Sequence, residues 1–175
     1  MQNVLDDPGA PAESQRVRRL LLCTGKVFYS LAKAREKEDV RDVAIVRVEQ
    51  LYPLAKKELA SIFQKYRNAG DVCWVQEEPK NRGAWSFMEP RLREMLPESA
   101  TLSYVGRDES ASPATGSYKM HEIEELELIT HALDLKPKTA PAKSNGDAPQ
   151  SAPGGAVEAA VAAPATAGSQ HPVSD

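Results

Sequence analysis

Three loops of this 175-residue chain carry side chains able to hold a ligand. Thr24-Gly25-Lys26 places a glycine and a cation directly behind an apolar run. Arg47 closes a second, β-branched run, with Glu49 and Gln50 just after it. Gln76-Glu77-Glu78-Pro79-Lys80-Asn81-Arg82-Gly83-Ala84-Trp85 follows a third. If the three runs are parallel strands, these loops share the crevice beyond the strands' carboxyl ends, where open α/β sheets take their ligands. A glycine at a helix start, two cations and several amides suit a phosphate-bearing ligand. The alternative is that Lys26 caps its own neighbourhood and Arg47 pairs with Glu49, Glu77 or Glu78.

Catalytic signatures are scarce. No GxGxxG follows the first run, and Cys23-Thr24-Gly25-Lys26 lacks the upstream glycine of a Walker loop. There is no CxxC pair and no HExxH, and no metal site is expected. His121 and His131 stand ten residues apart, on or beside one helix, and read as solvated or capping histidines. Glu77 and Glu78 are adjacent at a strand end, so they point to opposite sides and cannot easily serve one substrate as an acid/base pair. Trp85 and Phe87 either anchor a subunit interface or pack in the core. Ser110–Ser117 is a long loop of small residues that wraps a ligand, wraps a neighbouring domain or merely connects two elements. From the residues alone, this is a binding-type domain without a self-sufficient catalytic constellation.

The elements that must position these loops follow from periodicity. Arg18–Cys23, Val43–Val48, Asp71–Gln76 and Thr101–Gly106 read as strands. Between them, Val27–Lys37 places Val27, Phe28, Leu31 and Ala34 on one helical face. A second helix carries Leu59, Ile62, Phe63 and Tyr66, and Asn68-Ala69-Gly70 stops it. A short helix is predicted over Met88–Met95, with Pro90 tolerated in its first turn. The last, from about Glu122, sets Ile123, Leu126, Ile129 or Thr130, and Leu133 on one face. Strands alternating with helices at this spacing predict an α/β domain with a largely parallel sheet covered on both faces.

Composition sets the limits. From Lys136 to Asp175 there is no aromatic, Ile, Leu or Met, and that stretch holds six of the thirteen prolines. It cannot bury enough apolar surface to offset its own ordering entropy, so residues 136–175 are expected to be a disordered tail. Residues 1–15 read as an extended lead-in, leaving residues 16–135 as the domain. The 22 basic and 25 acidic residues give a mildly acidic, mixed surface, which argues against nucleic acid. The longest wholly apolar run near the start is Leu20–Cys23, and residues 1–15 are acidic and polar, unlike a membrane span or signal peptide. Cys23 and Cys73 are lone cysteines in apolar runs, read as buried thiols of a cytoplasmic chain.

Four strings carry a resemblance. Leu22-Cys23-Thr24-Gly25-Lys26-Val27-Phe28-Tyr29, Asp42–Pro53 (DVAIVRVEQLYP), Gln76–Trp85 (QEEPKNRGAW) and Tyr104–Gly116 (YVGRDESASPATG) occur in order along the chain. Together they resemble the final domain of the thiamine-dependent 2-oxoglutarate dehydrogenase first component, including related multifunctional 2-oxoglutarate enzymes. The resemblance implies a three-layer α/β/α, transketolase C-terminal-domain-like fold with a mostly parallel five-stranded sheet and one antiparallel edge strand. The complete enzyme decarboxylates 2-oxoglutarate in the tricarboxylic acid cycle on thiamine diphosphate with Mg²⁺. It then succinylates the lipoyl group of the dihydrolipoyl succinyltransferase. The family's cofactor motif and catalytic histidines lie upstream of this module, so the chain alone is expected to be inactive. Its implied partners are the remaining domains of the first component, a homodimer partner and the succinyltransferase. Some family members bind AMP or acetyl-CoA in this module. Lys26, Arg47, Gln50 and Arg107 match the family's cationic and amide positions and are the expected effector contacts, although Asp108 beside Arg107 weakens anion binding. Glu77, Glu78 and Trp85 are the expected interface residues. A stand-alone nucleotide or acetyl-CoA module without catalysis is the other function to be weighed.

Overall fold

Every residue of the central strand is buried, and successive side chains enter alternate cores, which creates the layers. The computed structural model describes residues 2–111 and 118–135. In it, strand β2 (Arg19–Cys23) sends Leu20 and Leu22 to one core and Leu21 and Cys23 to the other. Strand β1 is Val4–Leu5, β3 Val43–Val48, β4 Asp71–Pro79 and β5 Thr101–Arg107. The helices are α1 (Val27–Lys37), α2 (Lys56–Lys65), α3 (Trp85–Met95) and α4 (Tyr118–Ala132). The sheet order is β1-β3-β2-β4-β5. All pairs are parallel except the edge pair β1–β3. One core packs Leu59, Ile62 and Tyr66 of the α2 region and Trp85, Met88 and Leu92 of α3 against the sheet. The other packs Val27, Phe28 and Leu31 of α1 and Leu128, Ala132 and Leu133 at the end of α4. The three-layer α/β/α architecture is therefore as expected.

Four details differ from the sequence expectation. The segment read as a lead-in supplies β1 and inserts Asp7, whose side chain is fully buried. β1 stops after Leu5 pairs with Arg47, and the Asp7 carboxylate then accepts the next edge N–H, that of Ile45, at 2.7 Å. Its counter-ion is Arg35, which also donates to the Val43 carbonyl. The Arg35 charge is stable inside the fold only because the Asp7 carboxylate is buried with it.

Strand β4 runs on to Pro79 and α3 starts at Trp85, so Pro90 falls in its second turn. The cause is a side chain from the strand that caps the helix, described below. Helix α4 begins at Tyr118 and buries Leu128, Ala132 and Leu133, while Ile123 and Leu126 are 42% and 65% exposed. The expected Ile123–Leu126 face is thus the outer face. Residues 112–117, most of the small-residue loop, and the tail from 136 lie outside the described residues. The chain divides into two units, Met1–Lys138 and Thr139–Asp175, and only the first contains described elements. No described helix is long and apolar enough to cross a membrane.

Candidate functional site

The helix after β2 packs on one face of the sheet and the helix after β4 on the other. Those two strands are neighbours, so the chain's crossovers diverge between them and leave a crevice at their carboxyl ends. Three of the four expected effector residues lie along this edge, at the ends of β3, β2 and β5. Lys26 follows β2, Arg47 is in β3 opposite Cys23, and Arg107 ends β5 opposite Pro79. Gln50 lies just past β3.

Gly25 makes the turn into α1 with φ +64°, a left-handed conformation that glycine adopts without steric cost. Lys26 then occupies the residue before the helix, and its Nζ lies 3.0 Å from Glu77 Oε1 at the end of β4. The ion pair spans the crevice, and the hydrogen bond to Glu77 holds the Lys26 ammonium above its ordinary range. Glu78, one residue on, is exposed. Beneath the pair, the space between Glu77, Arg107, His121 and Glu124 is only about 20 Å³, little more than one water.

Arg47 is held differently. Its guanidinium lies 4.4 Å from the Phe28 ring centroid and 5.5 Å from that of Tyr29. It donates to the Tyr29 hydroxyl at 3.3 Å and pairs with Glu49 at 3.4 Å. Gln50 spends its amide on the Pro53 carbonyl at 2.8 Å, closing its own turn. Arg107 Nε lies 2.9 Å from Glu124 Oε2 of α4. Each of the three cations therefore has a carboxylate at hand. β3 and β5 are separated by two strands, about 14 Å between backbones, so a lone phosphate reaches Arg47 or Arg107 but not both. Beside Arg107, a shallow 430 Å³ depression is lined by Asp108, Glu109, Glu124, Glu127 and His131, a surface that repels polyanions.

Sequence reasoning overlooked the residue that organises this edge. Gln76 is 2% exposed. Its Oε1 accepts from Trp74 Nε1 at 3.0 Å and from the backbone N–H groups of Ala84 and Trp85 at 3.2 and 3.0 Å. Its Nε2 faces the carbonyls of Glu78, Pro79 and Arg82 at 3.2, 3.2 and 2.8 Å. A single amide thus closes the whole Glu77–Ala84 loop and caps α3. A Cβ on Gly83 would stand 2.9 Å from that amide, and Gly83 also has φ +64°. The signal was a polar residue ending an otherwise apolar strand, which was read as the start of a loop. Asn81 and Arg82 tie the same loop to the next one through Ser110 and the Ala111 carbonyl. Trp85, expected as an interface residue, is 6% exposed and packs on Tyr104 with ring centroids 5.1 Å apart.

The thiols are inert. Burial pushes Cys23 up to about 12, against an opposing pull from Arg47, and burial raises Cys73 as well. Among the described residues no three His, Cys, Asp or Glu side chains converge to hold a metal, and the lysine and arginines of the crevice are already paired. The described residues therefore do not fit magnesium. What fold and edge define is a doubly wound α/β/α domain whose switch-point crevice is closed by ion pairs, with no catalytic constellation among the described residues.

Residues 1–133 match the family described as 2-oxoglutarate dehydrogenase C-terminal. The chain is 43% identical over 134 residues to the 2-oxoglutarate dehydrogenase E1 component of Geobacillus sp. (strain WCH70), covering 76% of this chain and 14% of that protein. It is 40% identical over 123 residues to the oxoglutarate dehydrogenase of Buchnera aphidicola subsp. Baizongia pistaciae, covering 70% and 13%. Against a Dictyostelium discoideum protein named as a probable 2-oxoadipate dehydrogenase complex component E1 homolog, identity is 37% over 134 residues, covering 77% and 15%. This chain belongs to the 2-oxoglutarate dehydrogenase C-terminal family. It spans about one-seventh of the length of these relatives.

Proposed function

We propose that this chain is the carboxyl-terminal assembly module of a thiamine-diphosphate-dependent 2-oxoglutarate dehydrogenase first component. The observation that carries the reading is a family match over residues 1–133 on a domain whose described residues contain no catalytic constellation. In this reading the remaining domains bind thiamine diphosphate and Mg²⁺ and decarboxylate the 2-oxo acid. This module joins them and the homodimer partner, within a complex that also contains the dihydrolipoyl succinyltransferase. The relative named for 2-oxoadipate shares the module at 37% identity, which supports placing the choice of 2-oxo acid outside it. Two free, buried thiols support a cytoplasmic setting. The domain proper is taken as residues 16–135, with β1 recruited from the segment before it and residues 136–175 as an appended tail.

The test is reconstitution. Mixed at micromolar concentration with a polypeptide carrying the thiamine-binding domains, the chain should restore 2-oxoglutarate decarboxylation that neither part shows alone. Failure of the two parts to associate refutes the reading.

Effector binding belongs to the same proposal. Lys26, Arg47, Gln50 and Arg107 would contact AMP or acetyl-CoA by exchanging carboxylate partners for phosphate oxygens. The acidic surroundings of Arg107 favour the less charged AMP. Isothermal titration of the chain with each ligand tests this. Lys26→Ala and Arg47→Ala should each weaken binding by about 1.5–3 kcal/mol if each makes one charge-assisted hydrogen bond. No heat at millimolar ligand rules the effector role out.

A further inference from the structure

Helix α4 is apolar on two opposite sides. Its inner side buries Leu128 and Ala132 against the sheet and α1, while Glu125 accepts a hydrogen bond from Ser30 of α1 at 2.7 Å. Its outer side shows Met120, Ile123 and Leu126, spaced i, i+3 and i+6, at 49%, 42% and 65% exposure. These are the large aliphatic side chains exposed among the described residues; the other exposed large hydrophobics are Tyr29 and Tyr52. A helix with apolar residues on both faces is ordinarily buried on both. Exposed Lys119, Glu122 and Glu127 border the outer stripe, and neither glutamate has an ion-pair partner among the described residues.

We infer that the Met120–Ile123–Leu126 stripe of α4 is the surface on which the module docks to the rest of its parent polypeptide, against an apolar groove rimmed by lysine or arginine. The inference rests on the proposed reading and names the surface it uses. Two observations select this occupant. The relatives are about seven times longer than the matched region, so the module's natural neighbour is covalently supplied and large. Exposed Lys119, Glu122 and Glu127 also leave the border of the stripe net acidic, which suits a basic rim on the partner.

The test compares the unmodified chain with the double variant Ile123→Glu/Leu126→Glu. Both positions face solvent, so the circular dichroism and melting temperature should be retained. Each protein is titrated against a polypeptide carrying the amino-terminal remainder of the enzyme, with association followed by sedimentation velocity. At least tenfold weaker association of the double variant, with the fold intact, is the expected result. Reversing the rim with Glu122→Lys/Glu127→Lys should slow association and reduce its salt sensitivity. Equal binding by the Ile123/Leu126 double variant overturns the inference and leaves the proposed function standing. Failure of the unmodified chain to bind overturns both. A dimer of the chain alone that the double variant abolishes assigns the stripe to a second copy and overturns the inference.

Discussion

Replacing Gln76 by alanine should unfold the site from within. Trp74 is wholly buried, so its indole N–H, now bonded to Gln76 Oε1 at 3.0 Å, would have no water to turn to. An orphaned buried donor costs about 1–3 kcal/mol. The same oxygen caps α3 through the Ala84 and Trp85 N–H groups, and loss of a cap adds about 1 kcal/mol. The expected total is about 3 kcal/mol, a large fraction of the ~5–15 kcal/mol that holds a domain together. Urea unfolding followed by tryptophan fluorescence is the assay, since both tryptophans, Trp74 and Trp85, bond to Gln76. The midpoint should fall while the slope stays constant. Gln76→Glu sharpens the test. It keeps an acceptor but sets a carboxylate against the Glu78, Pro79 and Arg82 carbonyls. Burial raises the acid's folded pKa, so its penalty should be full above that raised value and shrink as pH falls from there toward the usual glutamate value of about 4.3, where the protonated group regains a donor. A loss below about 1 kcal/mol for Gln76→Ala would show that the loop is not organised by this amide.

The remaining predictions concern the same scaffold. Asp7→Ala should cost about 3–5 kcal/mol because it strands the buried Arg35 guanidinium and the Ile45 N–H; Asp7→Ala/Arg35→Met should recover part of that loss in urea titrations. Gly25→Ala and Gly83→Ala both impose φ +64° on a side chain, at roughly 1–2 kcal/mol each. Only at Gly83 does the new methyl meet the Gln76 amide, so Gly83→Ala should lower the melting temperature more than Gly25→Ala, and equal shifts would refute the close approach. For Asp6, burial pushes its carboxyl up, but the hydrogen bonds from Lys65, Tyr66 and the Asp7 N–H pull it below the usual range overall. A depressed folded pKa stabilises above the unfolded value, so this contribution should fade as pH falls below about 4. Acid titration of stability should therefore be shallower in Asp6→Asn than in the unmodified chain.

The continuous apolar runs in Arg19–Cys23 and Val43–Val48, and the 3.6-residue spacing of Val27, Phe28 and Leu31, were enough to foresee strands, helices and layering. These patterns are local: each records which side of its own element faces a core. The four motif strings likewise pointed to the family that the comparison with residues 1–133 shows. What periodicity could not rank were elements with more than one plausible face. Helix α4 carries apolar residues at Ile123–Leu126 and at Leu128–Ala132, and only packing against α1 and the sheet decides that the second is inner. The polar residues inside the fold were equally hidden. Gln76 is satisfied by the loop that folds back over it, whereas Asp7 and Arg35 are buried because distant segments satisfy them: Asp7 meets Arg35 across 28 residues and Ile45 across 38. The same holds for the crevice, where Lys26 was legible as a cation after a strand. Its closure by Glu77 arises because β2 and β4, far apart in sequence, are neighbours in the sheet. Burial of a polar group is a property of pairs, and pairs are settled in three dimensions.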